Sequence, residues 1–212
     1  MRFRDTPATA AIAIVTIAVS GFILLMGWGN IAAVVGGFIP ARLPDKLIAG
    51  YDGFLVPAYL TPLSATLLHG GVVHLLFNMV MLVYAGRETE RALGSSNLVI
   101  LYLVGAFAAA GGQWAQDPHS VMPMIGASGA ESAVVAAYAM LYARDGRAKA
   151  IGPIPAWLVH AVWLGVAWIL INVAMGFVTL MGQPIAIGAH IGGFIAGLIL
   201  ARPMLLWRYR KA

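Results

Sequence analysis

Cysteine is missing from the chain altogether, which excludes disulfides, thiolate nucleophiles and Cys-ligated metals and leaves the redox compartment unmarked. Charge is almost as scarce. Only 10% of the residues are Asp, Glu, Lys or Arg, against about 25% in soluble domains, too few to cover a water-facing surface. Long polar linkers, internal repeats and low-complexity tracts are also lacking, so a single domain over residues 1–212 is expected. What is present is apolar: 61% of the residues are hydrophobic and the mean hydropathy is +0.87. They fall in blocks of roughly 20, the length that crosses a bilayer as a helix. These features predict an all-α, polytopic membrane protein.

Six spans are expected, at about Ala8–Trp28, Gly71–Arg91, Asn97–Trp114, Gly126–Ala143, Ala156–Phe177 and Ile185–Trp207. The first follows Arg2 and Arg4 as a signal peptide would, but its apolar run exceeds the core of about 7–15 residues that such a peptide carries. It is therefore expected to be retained. Six spans put both termini on one side. That side receives Arg2, Arg4, Arg87, Arg91, Arg144, Arg147, Lys149, Arg202, Arg208, Arg210 and Lys211, and the other only Arg42 and Lys46, or 11 against 2 of 13 basic residues. The positive-inside rule then predicts cytoplasmic termini in a cell membrane, with residues 202–212 as a basic cytoplasmic tail. The net charge of +5 follows from topology and implies no nucleic-acid partner. The connection from Gly29 to Gly70, the outer loop at 30–70, holds "PARLPDK", "YDGF" and "YLTPLSATLLHGG" but no run long enough to span. A loop of this length is usually ordered or functional, and short helices resting in the interface are expected here.

Polar groups inside a membrane are costly and tend to face the bundle interior. "HGGVVHLLFNM" gives His74 and Asn78 at i, i+4, on one helical face. "PMIGASGAESAV" places Ser128 just after the fourth span begins, between Gly126 and Gly129. "GAHIGGFIAG" places His190 on a face with Gly193 and Gly197. In the predicted orientation these three spans all run inward, so His74, Asn78, Ser128 and His190 share the outer half of the bilayer.

A serine becomes a nucleophile when a histidine within hydrogen-bond reach takes its proton. Glycines beside it let a carbonyl approach the backbone, and a helix N-terminus offers free N–H groups to an oxyanion. His74 and Asn78 would add side-chain donors. The Gly193/Gly197 spacing permits close helix contact, which would bring His190 to Ser128. Each piece alone also has a plain reading: small-residue packing for Gly-Ala-Ser-Gly, a structural hydrogen bond for a histidine, interhelical glue for the asparagine. Glu131, one turn deeper than Ser128 and about 60° round the helix, is expected to face trapped water or a neighbouring helix. The competing readings make it a third catalytic member that orients His190, or a tolerated or introduced substitution.

With these residues in place, the sequence resembles the rhomboid family of intramembrane serine proteases. The matching pieces are "HGGVVHLLFNM", "GRETERALG", "GASG" and "AHIGGFIAG", in family order across about Pro62 to Leu200. The resemblance implies a six-helix membrane bundle with a serine–histidine dyad opening to the outer face, acting on single-span membrane-protein substrates without a metal or other cofactor. Carried over by position, Ser128 is the nucleophile and His190 its base. His74, Asn78 and the Ser128 N–H form the oxyanion hole. Glu90, between Gly86 and Gly94, is a structural carboxylate, and His69 organises the outer loop. The Trp-Arg pair of many members is absent, with "AYLTPLS" in that region, and the position of Glu131 is usually apolar. His119 and His160 match no motif.

Two other classes compete with a protease. A non-catalytic rhomboid-like protein would bind transmembrane helices without cutting them, but such proteins typically lack the serine, the histidine or both. A transporter or metal-binding protein would use His69, His74, His190 and Glu131 as ligands, yet it lacks a His-Glu-x-x-His pattern. The oligomeric state is not specified by the sequence.

Overall fold

In hydrocarbon every backbone N–H and C=O must be satisfied internally, so long apolar runs fold as helices. The computed structural model describes residues 5–43, 53–142, 149–178 and 186–210. Its α-helices are α1 (Pro7–Leu25), α2 (Gly29–Gly36), α3 (Thr61–Ser64), α4 (Val72–Leu93), α5 (Ser95–Gln116), α6 (Ser128–Tyr142), α7 (Ala156–Val178) and α8 (Ile187–Arg208). Extended pairing among the described residues is limited to isolated bridges, Phe38 with Met124 and Ile151 with Ile154. The result is an all-α polytopic bundle.

The six long helices stand where six spans were expected. Four are long and apolar enough to cross a membrane: Pro7–Leu25, Ser95–Gln116, Ala156–Ala174 and Ile187–Arg208. A fifth is added if Ala58–Leu67 and Val72–Leu93, bent by 89° to one another, count as one span. The last two turns of α4 carry Arg87, Glu88, Glu90 and Arg91, which lowers its hydropathy. Helix α6 has only 15 residues, or about 22 Å at 1.5 Å per residue. It is short because it is interior: Ser128 to Ala137 are all buried, and α4, α5, α7 and α8 each pack against it.

Glycine makes that packing close. A Cβ at Gly193 would run into the Gly129 carbonyl oxygen and reach within 3.1 Å of Ser132 Cβ, and one at Gly197 would meet the Ala133 carbonyl oxygen. The opposite side of α8 fits α5 the same way, with Gly192 against the Ala108 carbonyl and Gly188 against that of Gly112. Helix α8 is thus held between α5 and α6 by two seams of small residues, the arrangement that lets van der Waals contact hold helices together in lipid.

At the other end of the bundle, Glu90 ties three helices. Its carboxylate accepts the Ala8 and Thr9 N–H groups (2.9 and 2.8 Å), the Thr9 hydroxyl (2.6 Å) and the Ser95 hydroxyl (2.7 Å). A carboxylate at the start of α1 and α5 complements the positive ends of both helix dipoles. A Cβ at Gly86 would lie 3.1 Å from Thr9 Cγ2, and Gly94 turns the chain from α4 to α5 at φ +87. Arg208 of α8 donates to the Arg91 carbonyl at 2.7 Å, closing the last turn of α4.

The connection between α1 and α4 is a series of short helices: α2, α3 and the 3₁₀ turns Pro40–Arg42, Ala58–Leu60 and Ala65–Leu67. Lys46 in this connection lies outside the described residues, as do Arg2, Arg4, Arg144, Arg147 and Lys211.

Candidate active site

The chain entering α6 is held on several sides before the helix begins. Phe38 and Met124 exchange backbone hydrogen bonds at 3.0 and 2.8 Å, and the Gly126 N–H donates to the Ala65 carbonyl at 2.9 Å. The Ala127 N–H donates to Nε2 of His69 at 3.4 Å. With Nε2 accepting, Nδ1 of His69 carries the ring proton and donates to Ser20 Oγ at 2.8 Å, and the Ser20 hydroxyl donates to the Leu67 carbonyl at 2.7 Å. His69 therefore links α1, the connection between α1 and α4, and the approach to Ser128. Both of its ring nitrogens are engaged, so it has none to offer a metal.

Ala127 accepts the first bond of α6, from the Glu131 N–H at 2.9 Å. The N–H groups of Ser128, Gly129 and Ala130 consequently have no acceptor within their own helix. Gly126 stands over this end at φ +114. A Cβ there would lie 2.9 Å from Cε1 and Nε2 of His74 and 3.5 Å from Nδ2 of Asn78. Both backbone conformation and space require glycine.

His74 accepts the Gly70 N–H at Nδ1 (3.3 Å), which leaves the proton on Nε2, the nitrogen facing Gly126. Asn78, one turn along α4, is 0% exposed, and neither of its amide atoms has a hydrogen-bond partner among the described residues. Leaving such a group unpaired costs about 1–3 kcal/mol.

Ser128 is the first residue of α6 and His190 lies in the first turn of α8. The glycine seam between these helices brings His190 Nε2 to 2.9 Å from Ser128 Oγ across 62 positions of sequence. The two residues are 4% and 8% exposed. Glu131 is 1% exposed, and neither of its carboxyl oxygens nor Nδ1 of His190 has a hydrogen-bond partner among the described residues. The carboxyl is therefore not bonded to His190. His119 lies in the turn before this segment, its N–H donating to Asp117 Oδ1 at 3.1 Å.

The structure thus gathers Ser128, His190, His74, Asn78, Gly126 and His69 at one end of the bundle and Glu90 at the other. Ser20, Ser132 and Trp168 also join the first group, although the sequence reading did not include them. Ser132 follows Ser128 by one turn in "GASGAES", a faint signal; Ser20 and Trp168 carry none.

A family model described as Rhomboid domain matches residues 58–207. A Rhomboid protease GlpG of Pectobacterium atrosepticum is 27% identical over 201 residues, covering 95% of this chain and 64% of the relative. Rhomboid protease GlpG of Yersinia pestis is 30% identical over 138 residues, and that of Yersinia pseudotuberculosis 31% over 139, each covering 65% of this chain and 45% of the relative. The chain therefore spans less than two thirds of the length of these relatives. The domain match takes in well over half of the chain, including every residue of the site except Ser20, and on that ground the chain belongs to the rhomboid family.

Proposed function

We propose that the protein is an intramembrane serine endopeptidase that cuts peptide bonds in or beside transmembrane segments of single-span membrane proteins. The observation that carries this reading is the 2.9 Å contact between His190 Nε2 and Ser128 Oγ, at the N-terminus of α6. In the proposed reaction Ser128 Oγ attacks the scissile carbonyl carbon while His190 Nε2 takes its proton. The tetrahedral oxyanion is met by the Ser128 N–H and by Nε2–H of His74 and Nδ2–H of Asn78, donors fixed in a water-poor site. Collapse breaks the C–N bond, and His190 returns the proton to the leaving amine. A water then attacks the acyl-enzyme with the same base, releasing the acid and restoring Ser128.

In this reading residues 1–212 form one membrane domain with six crossings. Both termini are cytoplasmic in a cell membrane, and the site opens to the outer face. The relatives' name, Rhomboid protease, supports the class of reaction.

The test pairs cleavage of a panel of single-span membrane proteins with labelling by a fluorophosphonate probe. Ser128→Ala and His190→Ala are expected to abolish cleavage in a folded protein, and Ser128→Ala to abolish labelling. Substantial residual cleavage in either variant would overturn the dyad.

A further inference from the structure

A histidine that works as a base must present one nitrogen to the hydroxyl and keep its ring from turning away. Nε2 of His190 meets Ser128, but Nδ1 is buried without a hydrogen-bond partner among the described residues. Among the described residues no polar group holds the ring from behind. Trp168 of α7 meets it edge-on instead, with ring centroids 6.5 Å apart and planes at 78°, inside the range of a favourable edge-to-face contact.

Trp168, itself 2% exposed, is fixed by contacts with α4 and α6 and within α7. Its Nε1–H donates to Ser132 Oγ at 2.7 Å, Phe77 of α4 stacks on it at 6.1 Å between centroids, and Asn172 Nδ2 donates to its carbonyl at 2.8 Å. Ser132 in turn donates its hydroxyl to the Ser128 carbonyl at 2.7 Å. The contacts form a closed ring, from His190 to Trp168 to Ser132 to Ser128 and back to His190. A tryptophan that served packing alone would need a partner for its N–H, but not one bonded to the nucleophile's own carbonyl.

We propose that Trp168, anchored on Ser132, is a positioning residue for His190 and fills the orienting role that an acid fills in a three-membered site. The proposal rests on the Ser128–His190 reading above. It makes the competence of the dyad depend on the seating of α7, because the orienting group belongs to that helix and the anchor to α6.

Trp168→Phe keeps a ring against His190 but loses the N–H, and Ser132→Ala removes the acceptor of that N–H together with the hydroxyl bond to the Ser128 carbonyl. Each is expected to lower kcat roughly tenfold with KM changed by less than about twofold, the signature of lost transition-state orientation. The double variant should be no slower than the slower single, because both remove the Trp168–Ser132 hydrogen bond. The rate at which a small fluorophosphonate labels Ser128 should fall in step with kcat. Trp163→Phe, an exposed position on the same helix, should match the parent in all of these. Thermal unfolding in detergent confirms that each variant is folded; if Trp168→Phe is not, Ser132→Ala decides alone. Parental kcat and labelling rates in the folded variants overturn the positioning role while leaving the dyad intact. So do a loss confined to KM and single effects that multiply in the double variant. A parent that the probe does not label at Ser128 overturns the dyad itself, and this proposal with it.

Discussion

Asn78 and Glu131 both bury polar atoms that bond to nothing among the described residues, yet they are expected to respond differently to substitution. Nδ2 of Asn78 lies beside Gly126, over the helix end where the proposed oxyanion forms. Asn78→Ala should lower kcat by roughly 10- to 1,000-fold, the span for losing one oxyanion donor, and single-turnover cleavage measures it. An unchanged rate removes Asn78 from the mechanism. Glu131 has no bond to His190, and glutamine reproduces its shape. Glu131→Gln should keep cleavage within about tenfold of the parent, a barrier change of no more than roughly 1.4 kcal/mol. Initial rates for both proteins across a pH series check this, and a much larger loss in a folded variant would make Glu131 a working part of the site. His74 and Asn78 were legible because two polar residues at i, i+4 stand out in an apolar helix. The surroundings of Glu131 were not, because its side chain leaves α6 toward whatever the tertiary fold supplies.

At the scale of elements, the apolar runs predicted each long helix to within a few residues. The first was expected to reach Trp28, but α1 ends at Leu25; Gly27, at φ +69, turns the chain into α2. One seam of α8 was visible in Gly193 and Gly197 because His190 shares their face. The other, where Gly188 and Gly192 meet α5, was not, since small residues are common in membrane helices and a sequence does not say which face meets which. Trp168 was hidden for a similar reason: a tryptophan in an apolar helix reads as a lipid contact until its neighbours are known. The visible seam gives a direct test. A Cβ at Gly193 already collides with the Gly129 carbonyl oxygen, and Val would add two methyl groups to it. Backbone cannot yield as a flexible side chain does, so α8 must move off α6 and carry His190 from Ser128. Gly193→Val should lower both the thermal midpoint in detergent and the cleavage rate. Parental values for both would mean that α8 does not pack through this face.

For the molecule as a whole, the number of crossings and the charge bias decide which side of the membrane Ser128 faces. Six long helices return the chain to its starting side if each crosses, and 11 of the 13 basic residues then fall with the termini. In that arrangement Lys149, just before α7, falls on that side. The segment between α5 and α6 would fall on the other, because its Met124 pairs with Phe38 of the α1–α4 connection and leads directly into Gly126 and Ser128. The lack of cysteine makes this orientation measurable without background, since any single introduced thiol is the only one in the chain. Val121, 73% exposed between α5 and α6, and Ala150, exposed just before α7, suit the purpose because neither touches the site. In cells whose inner membrane is intact, a membrane-impermeant maleimide should label Val121→Cys at once and Ala150→Cys only after permeabilisation. The charge bias acts through retention of Lys and Arg on the cytoplasmic side, so the reverse labelling pattern would mean that it does not set this chain's topology. The site would then open to the cytoplasm, and its substrates would be sought at the inner ends of their transmembrane segments. Equal labelling of both positions in intact cells would mean that the helices between them do not carry the chain across, and the six-crossing arrangement would fail.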